Sequence, residues 1–241
     1  MFTPSLLVLS AFAAIASCQT LSGQYDCTTS GQYSLCQNLW GARSGVGSQT
    51  STLISTSGNN ISWSTTWNWQ NNPNNVKSYA NVLSATSKGK QLASITTAPT
   101  IWDWSYMSES SGIRADVSYD IWFGAAPSGT PASTASSYEI MIWLSGVGGI
   151  QPVGSQIATN VNVAGHSWNV WRGPNANWQV ISFVSPTEIH NFNVDLKDFF
   201  NYLVAQQGVS SSQYVQAIQA GTEPFTGNAQ LMTTSYSVSL S

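Results

Sequence analysis

Hydrophobic and polar positions alternate along residues 138–144, which read Tyr-Glu-Ile-Met-Ile-Trp-Leu. Because successive side chains of a β-strand point to opposite faces, this alternation predicts a strand with two different faces. The face predicted to be buried carries Tyr138, Ile140, Ile142 and Leu144. The other face carries Glu139 beside Met141 and Trp143, where loss of water would raise the pKa of the carboxyl. The alternative is a solvated strand Glu, and the aromatic neighbour of Glu139 argues against it.

Similar alternating runs, bounded by Gly, Asn, Ser and Pro, predict further strands. They cover residues 61–69, 76–82, 101–106, 113–123, 156–163, 167–171, 178–184, 213–222 and 230–240. In the run 113–123, Asp120 shares a polar-side face with Trp122, and this strand is expected to neighbour the strand of Glu139. Residues 125–137 are rich in Ser, Thr, Pro and Gly, which predicts a loop.

One segment has a helical period instead. Its apolar residues are Leu196, Phe199, Phe200, Leu203 and Val204, spaced i, i+3, i+4, i+7 and i+8. Asn193 or Asp195 can cap its start, and Gly208 can end it. Many short strands with a single helix predict an all-β sandwich of two antiparallel sheets, with the helix packed on one sheet.

Composition narrows the classes of partner. The chain has 241 residues, of which only 7% are charged, and its net charge is −3. No basic surface suggests a nucleic acid or an anionic membrane as a partner. The 11 Trp and 9 Tyr residues exceed what is usual, and aromatic rings are what sugar-binding clefts use to stack on pyranoses.

Residues 1–18 resemble a secretion signal, since the apolar run 6–16 is too short to span a bilayer and ends in Ala-Ser-Cys before Gln19. We therefore expect a secreted, extracellular protein, a monomer, with a single catalytic domain over residues 19–241. Cys27 and Cys36 are then the remaining cysteines, which predicts a disulfide between them; two free thiols are the alternative. Asn60 begins the one glycosylation sequon, Asn-Ile-Ser.

Several chemistries are disfavoured. No G-x-S-x-G motif is present, and His166 and His190 lie in polar, loop-like sequence, so a serine hydrolase is a weak option. Phosphate-binding glycine motifs are absent. Two Cys and two distant His make no ligand cluster, so we expect neither a metal nor another cofactor.

Paired carboxylates remain, and the chain has four Glu residues, of which Glu109 and Glu188 fall in loop sequence. Glu223 precedes Pro224 and Phe225, which predicts a strand that ends at the Glu, a turn fixed by the proline and an apolar wall. Glu139 and Glu223 are thus the two Glu held by rigid, apolar sequence, as glycoside hydrolysis requires. Asp120 is a third candidate, because a carboxyl beside a nucleophile orients it and titrates together with it.

The sequence resembles glycoside hydrolase family 12 over nearly all of residues 19–241. The matching motifs are Asn-Leu-Trp-Gly at 38–41, Asn-Val-Lys-Ser-Tyr at 75–79, Tyr-Asp at 119–120, the strand 138–144, Asp-Phe-Phe-Asn-Tyr-Leu at 198–203 and Gly-Thr-Glu-Pro-Phe-Thr-Gly at 221–227. The resemblance implies a β-jelly roll with an open cleft on the concave sheet, one helix on the convex side and a retaining endo-β-1,4-glucanase activity. It implies that Glu139 is the nucleophile, Glu223 the acid/base and Asp120 the partner of Glu139.

The resemblance also places side chains around the sugar. The residues assigned to substrate binding are Trp40, Asn38, Met141, Trp143, Pro152 and Phe225. One departure concerns the disulfide, since family members often pair the equivalent of Cys27 with a Cys after the Asn-Leu-Trp-Gly motif. Here residues 47–50 read Gly-Ser-Gln-Thr, so the pairing of Cys27 with Cys36 rests on the cysteine count.

The expected substrates are β-1,4-glucans: cellulose, mixed-linkage β-glucan and xyloglucan. Residues 173–175 and 220–223 are similar to the xyloglucan-specific branch, whereas 150–154 and 167–171 are similar to the broad cellulase branch. A cellulase-type endoglucanase is the first expectation, and a xyloglucan-specific enzyme is the alternative. A non-catalytic carbohydrate-binding sandwich is the rival from another class, because it would keep the aromatic residues without needing two carboxyls.

Overall fold

The computed structural model describes residues 19–241, and the predicted signal segment 1–18 lies outside them. The ten runs predicted from alternation fall on nine strands, and together with five strands that were not predicted they form two packed sheets. The strands are β1 (Gln19–Leu21), β2 (Cys27–Ser30), β3 (Tyr33–Cys36), β4 (Val46–Ser57), β5 (Asn60–Gln70), β6 (Ala80–Ser84), β7 (Pro99–Glu109), β8 (Arg114–Gly124), β9 (Tyr138–Val147), β10 (Ser155–Val163), β11 (His166–Asn175), β12 (Trp178–Val184), β13 (Asn191–Asp195) and β14 (Tyr214–Val238).

The first sheet, sheet A, has the strand order β1-β4-β5-β14-β7-β13. The second, sheet B, has the order β2-β3-β6-β14-β8-β9-β12-β11-β10. Neighbouring strands are antiparallel except β9 and β12, which run parallel. The predicted two-sheet sandwich is therefore confirmed, with β14 common to both sheets.

The strand β14 corrects the sequence prediction around Glu223. Two strands with a turn at Pro224 were expected, but one strand of 25 residues runs from Tyr214 to Val238. Its first half pairs with β8 and its second half with β5, and the register shifts between Pro224 and Thr226. A proline cannot donate to the ladder, so it is accommodated at this irregularity without ending the strand. Glu223 consequently lies inside a strand, with paired residues both before and after it in the sequence.

Five strands, β1, β2, β3, β4 and β13, were not predicted, because their short or Ser/Thr-rich sequences show no clear alternation of apolar residues. Among the predicted strands, one begins clearly later than expected. Residues 76–82 were expected to be a strand, but β6 begins only at Ala80. Before it, the amide of Lys77 donates to Pro224 O at 2.9 Å and the amide of Tyr79 donates to Asn38 O at 3.0 Å. These bonds use the backbone groups that a longer strand would have paired. The segment 75–79 thus connects the neighbourhoods of Asn38 and Glu223.

The predicted helix is present as α1 (Lys197–Gln206). Asp195 Oδ1 accepts the amide of Lys197 at 2.9 Å, so Asp195, and not Asn193, satisfies a free N–H at the start. Phe199 and Phe200 are buried and pack on Phe183 and Phe123 of sheet B. The helix therefore lies on the face of sheet B that points into the sandwich, and the opposite face is left open. Among residues 19–241, no helix has the length and apolar character needed to span a bilayer.

Candidate active site

The open face of sheet B carries a cleft with a volume of about 590 Å³. The alternation predicted for β8 and β9 creates it: Ile140 and Ile142 point into the core, whereas Glu139 and Asp120 point into the cleft. The lining residues are Tyr25, Cys27, Cys36, Asn38, Trp40, Tyr79, Asn81, Leu83, Asp120, Trp122, Thr130, Pro131, Ala132, Glu139, Asn175, Trp178, Gln219 and Glu223. None of these side chains is Lys or Arg, so the cleft matches a neutral ligand better than a polyanion.

Glu139 lies on β9, opposite Trp122 of β8. Its Oε2 accepts a hydrogen bond of 2.6 Å from Trp178 Nε1, and Asn175 also bonds to this carboxyl. Burial raises the pKa of Glu139, while these two bonds lower it because they stabilise the ionised form. Neutral donors thus favour the charged form of Glu139, although burial still leaves its pKa raised.

Asp120 lines the cleft from β8, where it lies opposite Met141 of the Glu139 strand. Its side chain is 7% exposed. Burial, followed by the negative charge of Glu139, raises the pKa of Asp120 well above its ordinary value. The charge of Glu139 thus acts on Asp120, and the role of Asp120 as the partner carboxyl stays a prediction.

Glu223 enters the same cleft from β14, on the other side of β8. Burial raises its pKa well above the ordinary value, and the charges of Asp116, Glu139 and Asp120 add to this effect. Three carboxyls around one carboxyl favour its neutral form. Burial raises the pKa of both Glu139 and Glu223, but hydrogen-bond donors oppose the rise only at Glu139, whereas neighbouring charges add to it at Glu223.

Asp116 is the site residue that the sequence analysis missed. It is fully buried on β8, directly opposite Glu223, and its Oδ1 accepts the Glu223 amide at 3.1 Å. Its place on the same strand face as Asp120, four residues earlier, was a readable signal. The register that sets it against Glu223 was not readable, because the sequence does not show which residues pair across two strands.

The predicted substrate-binding residues divide into two groups. Asn38 and Trp40 line the cleft, and the indole of Trp40 is 52% exposed, as a stacking platform requires. A close approach of two backbones holds this segment: the Gly41 amide donates to Lys77 O, and a Cβ on Gly41 would lie 2.2 Å from Val76 O. Glycine is therefore required next to Trp40.

The remaining four do not line the cleft. Met141, Trp143 and Phe225 are buried at 5%, 2% and 7% exposure. Met141 and Trp143 pack with Trp122 and Trp178 in a small apolar cluster on the open face of sheet B. Pro152 lies in the loop between β9 and β10. These residues support the floor or lie beside it, and their direct contact with a substrate stays a prediction.

The disulfide prediction is confirmed: Cys27 and Cys36 are bonded, and they are opposite residues of β2 and β3. Both line the cleft, a position that cysteine counting did not predict. Tyr25, 64% exposed, precedes the bridge and adds a second accessible ring near this end.

Further lining residues come from elements that the sequence analysis did not connect with the site. Asn175 and Trp178 flank the turn between β11 and β12, and Gln219 lies on β14 with its amide on Asn81 Oδ1 at 3.0 Å. The predicted loop 125–137 contributes Thr130, Pro131 and Ala132. The abundance of Asn, Gln and Trp in the sequence indicated a sugar-binding cleft, but it did not show which of these residues line it.

The other acidic and histidine side chains lie outside the lining. Glu188 accepts a 2.7 Å hydrogen bond from Ser145 Oγ and lies 3.4 Å from His190 Nε2, and Glu109 is exposed at the end of β7. In the part of the chain that the structure describes, no three His, Cys, Asp or Glu side chains are arranged to hold a metal ion. The cleft thus brings together carboxyl groups whose surroundings differ.

Comparison with known proteins agrees with this geometry. The sequence profile described as glycosyl hydrolase family 12 matches residues 31–241. Xyloglucan-specific endo-beta-1,4-glucanase A of Emericella nidulans is 43% identical over 247 residues, covering 98% of this chain and 99% of that protein. The protein of the same name from Aspergillus aculeatus is 44% identical over 243 residues, covering 98% of each.

Solved structures are similar over the same span. Endoglucanase 3 of Trichoderma harzianum, from the same family, has a TM-score of 0.87 and 41% identity, covering 95% of this chain and all 100% of that one. A family 12 xyloglucanase from Bacillus licheniformis has a TM-score of 0.80 and 27% identity, covering 92% and 100%. The relatives therefore include enzymes of both names that the sequence motifs suggested.

Proposed function

The chain belongs to glycosyl hydrolase family 12, and from this premise we propose that it is a secreted, retaining endo-β-1,4-glucanase that prefers xyloglucan. The observation that carries the proposal is the pair Glu139 and Glu223, which enter one cleft and differ in their hydrogen-bond donors and neighbouring charges. A binding module would not need a protonated and an ionised carboxyl in the same cleft. The domain is taken as residues 19–241, and residues 1–18 as the secretion signal.

In the proposed first step, the Glu139 carboxylate attacks the anomeric carbon while Glu223 gives its proton to the leaving glycosidic oxygen. The bond from the anomeric carbon to that oxygen breaks, and a glycosyl ester on Glu139 forms. In the second step Glu223 takes a proton from water, the oxygen of which attacks the same carbon and releases Glu139. Trp178 and Asn175 orient Glu139 throughout, and Asp120 couples to its charge.

Azide distinguishes the two roles. Glu223→Ala is expected to lose most activity on polymers, on the order of 100-fold or more, and to keep the first step on substrates whose leaving group needs no proton. Azide should then attack the covalent intermediate and give the β-glycosyl azide. Glu139→Ala with azide should give the α-azide or no product. The reverse pattern of azides would exchange the two assignments.

The preference for xyloglucan is supported by relatives and by one position in the cleft. The relatives from Emericella nidulans and Aspergillus aculeatus are named xyloglucan-specific. Asn175, in the xyloglucan-type motif 173–175, reaches Glu139. The first expectation from sequence, a cellulase, thereby becomes the second candidate, favoured by the similarity to endoglucanase 3.

Initial rates separate the two substrates. With equal enzyme, kcat/KM on xyloglucan should exceed that on carboxymethylcellulose and mixed-linkage β-glucan by at least about 10-fold, since side-chain contacts in the cleft contribute on the order of 1–3 kcal/mol. Equal or faster cleavage of the unbranched glucans would assign the protein to the cellulase type. Absence of released sugar from all three polymers would favour the non-catalytic alternative.

A further inference from the structure

Asp116 lies beside Glu223, on the neighbouring strand β8. It is fully buried, it is absent from the cleft lining, and it is the direct cross-strand neighbour of Glu223. Thr222 Oγ1 also donates to the main-chain oxygen of Asp116 at 2.5 Å, which fixes the two strands at this point. A substrate in the cleft therefore meets Glu223 and not Asp116, so any effect of Asp116 on the reaction passes through Glu223.

The two oxygens of Asp116 have different partners. Oδ1 accepts the Glu223 amide at 3.1 Å and Ser118 Oγ at 3.0 Å. Oδ2 is buried and receives no N–H or hydroxyl donor. The carboxyl of Glu223 is in hydrogen-bonding contact with Asp116 and can supply the missing proton. Because a buried acceptor without a donor is costly, this arrangement requires one proton between the two carboxyls.

The charged and titratable groups facing this pair do not supply a substitute. The Arg114 guanidinium, on the same strand, donates to Pro73 O, Gly148 O and Asn74 Oδ1. Lys77 Nζ donates to the carbonyls of Asn72 and Asn75.

The other titratable neighbours of Asp116 are Asp120 on its own strand, Tyr79 before β6 and Tyr106 on β7. Opposite Asp116 on β9 is Gly146, which has no ionisable group. The hydroxyl of Tyr79 donates a hydrogen bond of 3.0 Å to Ser118 O. Both cations and this phenol are therefore engaged elsewhere.

We propose that Asp116 is the positioning residue of the acid/base: its carboxylate accepts the proton of Glu223 in a carboxyl–carboxylate hydrogen bond that orients Glu223 and keeps it protonated. The inference rests on the proposed role of Glu223. In the first step the proton passes from Glu223 to the glycosidic oxygen, which leaves two neighbouring carboxylates. In the second step Glu223 takes a proton from water, and the pair again shares one proton.

The electrostatics of the pair agree with this placement of the proton. Burial raises the pKa of Asp116 to about 7, and the bond with Glu223 opposes this rise. The same bond adds to the rise at Glu223. Ser118 Oγ and the Glu223 amide stabilise a charge on Asp116, so the proposal places the shared proton on Glu223.

The test is a ¹³C NMR titration of protein labelled at the Glu side-chain carboxyl carbons. The chain has four Glu residues, and Glu223→Gln assigns the signal of interest. In the wild-type protein this signal should titrate in two steps, because Asp116 titrates beside it. In Asp116→Asn the midpoint should fall by at least about one pH unit, because a neighbouring negative charge is lost. Glu109→Gln, at an exposed strand end, is the matched control and should leave the midpoint unchanged.

Kinetics give the second readout. In Asp116→Asn the alkaline limb of the pH profile of kcat/KM on xyloglucan should move to lower pH. The alkaline limb measured for the first step on a dinitrophenyl oligosaccharide should not move, because that leaving group needs no proton. A single-step wild-type titration, an unchanged Glu223 midpoint or a limb that moves to higher pH would each overturn the proposal. If the midpoint falls and the limb stays, the pair is real and the assignment of Glu223 as acid/base fails, which the azide products test separately.

Discussion

At the scale of single residues, the two glutamates of the cleft differ in what their neighbours can donate. Glu139 receives an indole N–H from Trp178, whereas Glu223 meets another carboxyl. Burial raises the pKa of both carboxyls, and their hydrogen bonds and neighbouring charges differ. A short-range change at either neighbour should therefore alter one limb of the pH profile and leave the other in place.

Trp178→Phe tests this at Glu139. The indole bond stabilises the carboxylate and lowers its pKa, so removing it should raise the pKa of Glu139 by about half to one unit. Since the nucleophile must be ionised, the acidic limb of kcat/KM should move to higher pH, as initial rates across pH would measure. Trp171→Phe, on β11 outside the cleft lining, is the matched control. If the acidic limb does not move, the hydrogen bond from Trp178 does not lower the pKa of Glu139.

The faces of single strands could be predicted from the sequence, and the contacts between strands could not. Alternation placed Glu139 and Asp120 away from the core, because that property depends only on a period of two. Trp178 and Asp116 were missed as partners, because their roles depend on which strand lies beside which. Register is set by the packing of the whole sheet, so local sequence carries no direct record of it.

At the scale of elements, β14 continues through a position where the sequence indicated a turn. Its sequence contains a proline and a glycine in the middle, which indicated a turn, yet the chain continues from one sheet into the other. The change of partner strands uses both residues: Pro224 needs no amide partner, and Gly227 adopts a φ of 102°. Tertiary pairing on both sides thus overrides a local turn signal, which explains the wrong boundary in the prediction.

Gly227→Ala tests the element. The left-handed φ strains an alanine, and a Cβ would lie 2.9 Å from Ile113 Cα, so the free energy of unfolding should fall by about 1–3 kcal/mol or more. Gly58→Ala is the matched control, because its φ is 57° and no atom lies within 4 Å of the added Cβ. Urea denaturation measures both. Equal losses in the two variants would show that the crossing between sheets tolerates a side chain.

At the scale of the whole molecule, the buried acids tie stability to pH. The pKa values of Asp116, Asp120, Glu139 and Glu223 are all raised in the folded protein, chiefly by burial. The folded state therefore holds more protons than the unfolded chain between the ordinary and the raised values. These groups contribute most to the free energy of unfolding below their pKa values in the unfolded chain, which are near 4. The contribution is lost as the pH rises through their pKa values in the folded protein.

We accordingly expect a larger free energy of unfolding at about pH 4 than at about pH 7, measured by urea denaturation at constant ionic strength. The double variant Glu139→Gln and Glu223→Gln should flatten this dependence, because two of the four groups no longer titrate. Glu109→Gln serves again as the exposed control. Stability that rises steadily from pH 4 to pH 7 would contradict the direction of the four shifts.

The position of β14 in the chain has a consequence for the order of assembly. It follows every other described strand in the sequence, yet it lies between β5 and β7 in one sheet and between β6 and β8 in the other. Neither β5 and β7 nor β6 and β8 can be bridged until β14 has been synthesised. The same strand carries Glu223. Neither sheet, nor the proposed catalytic pair, can therefore be completed before this last strand is available.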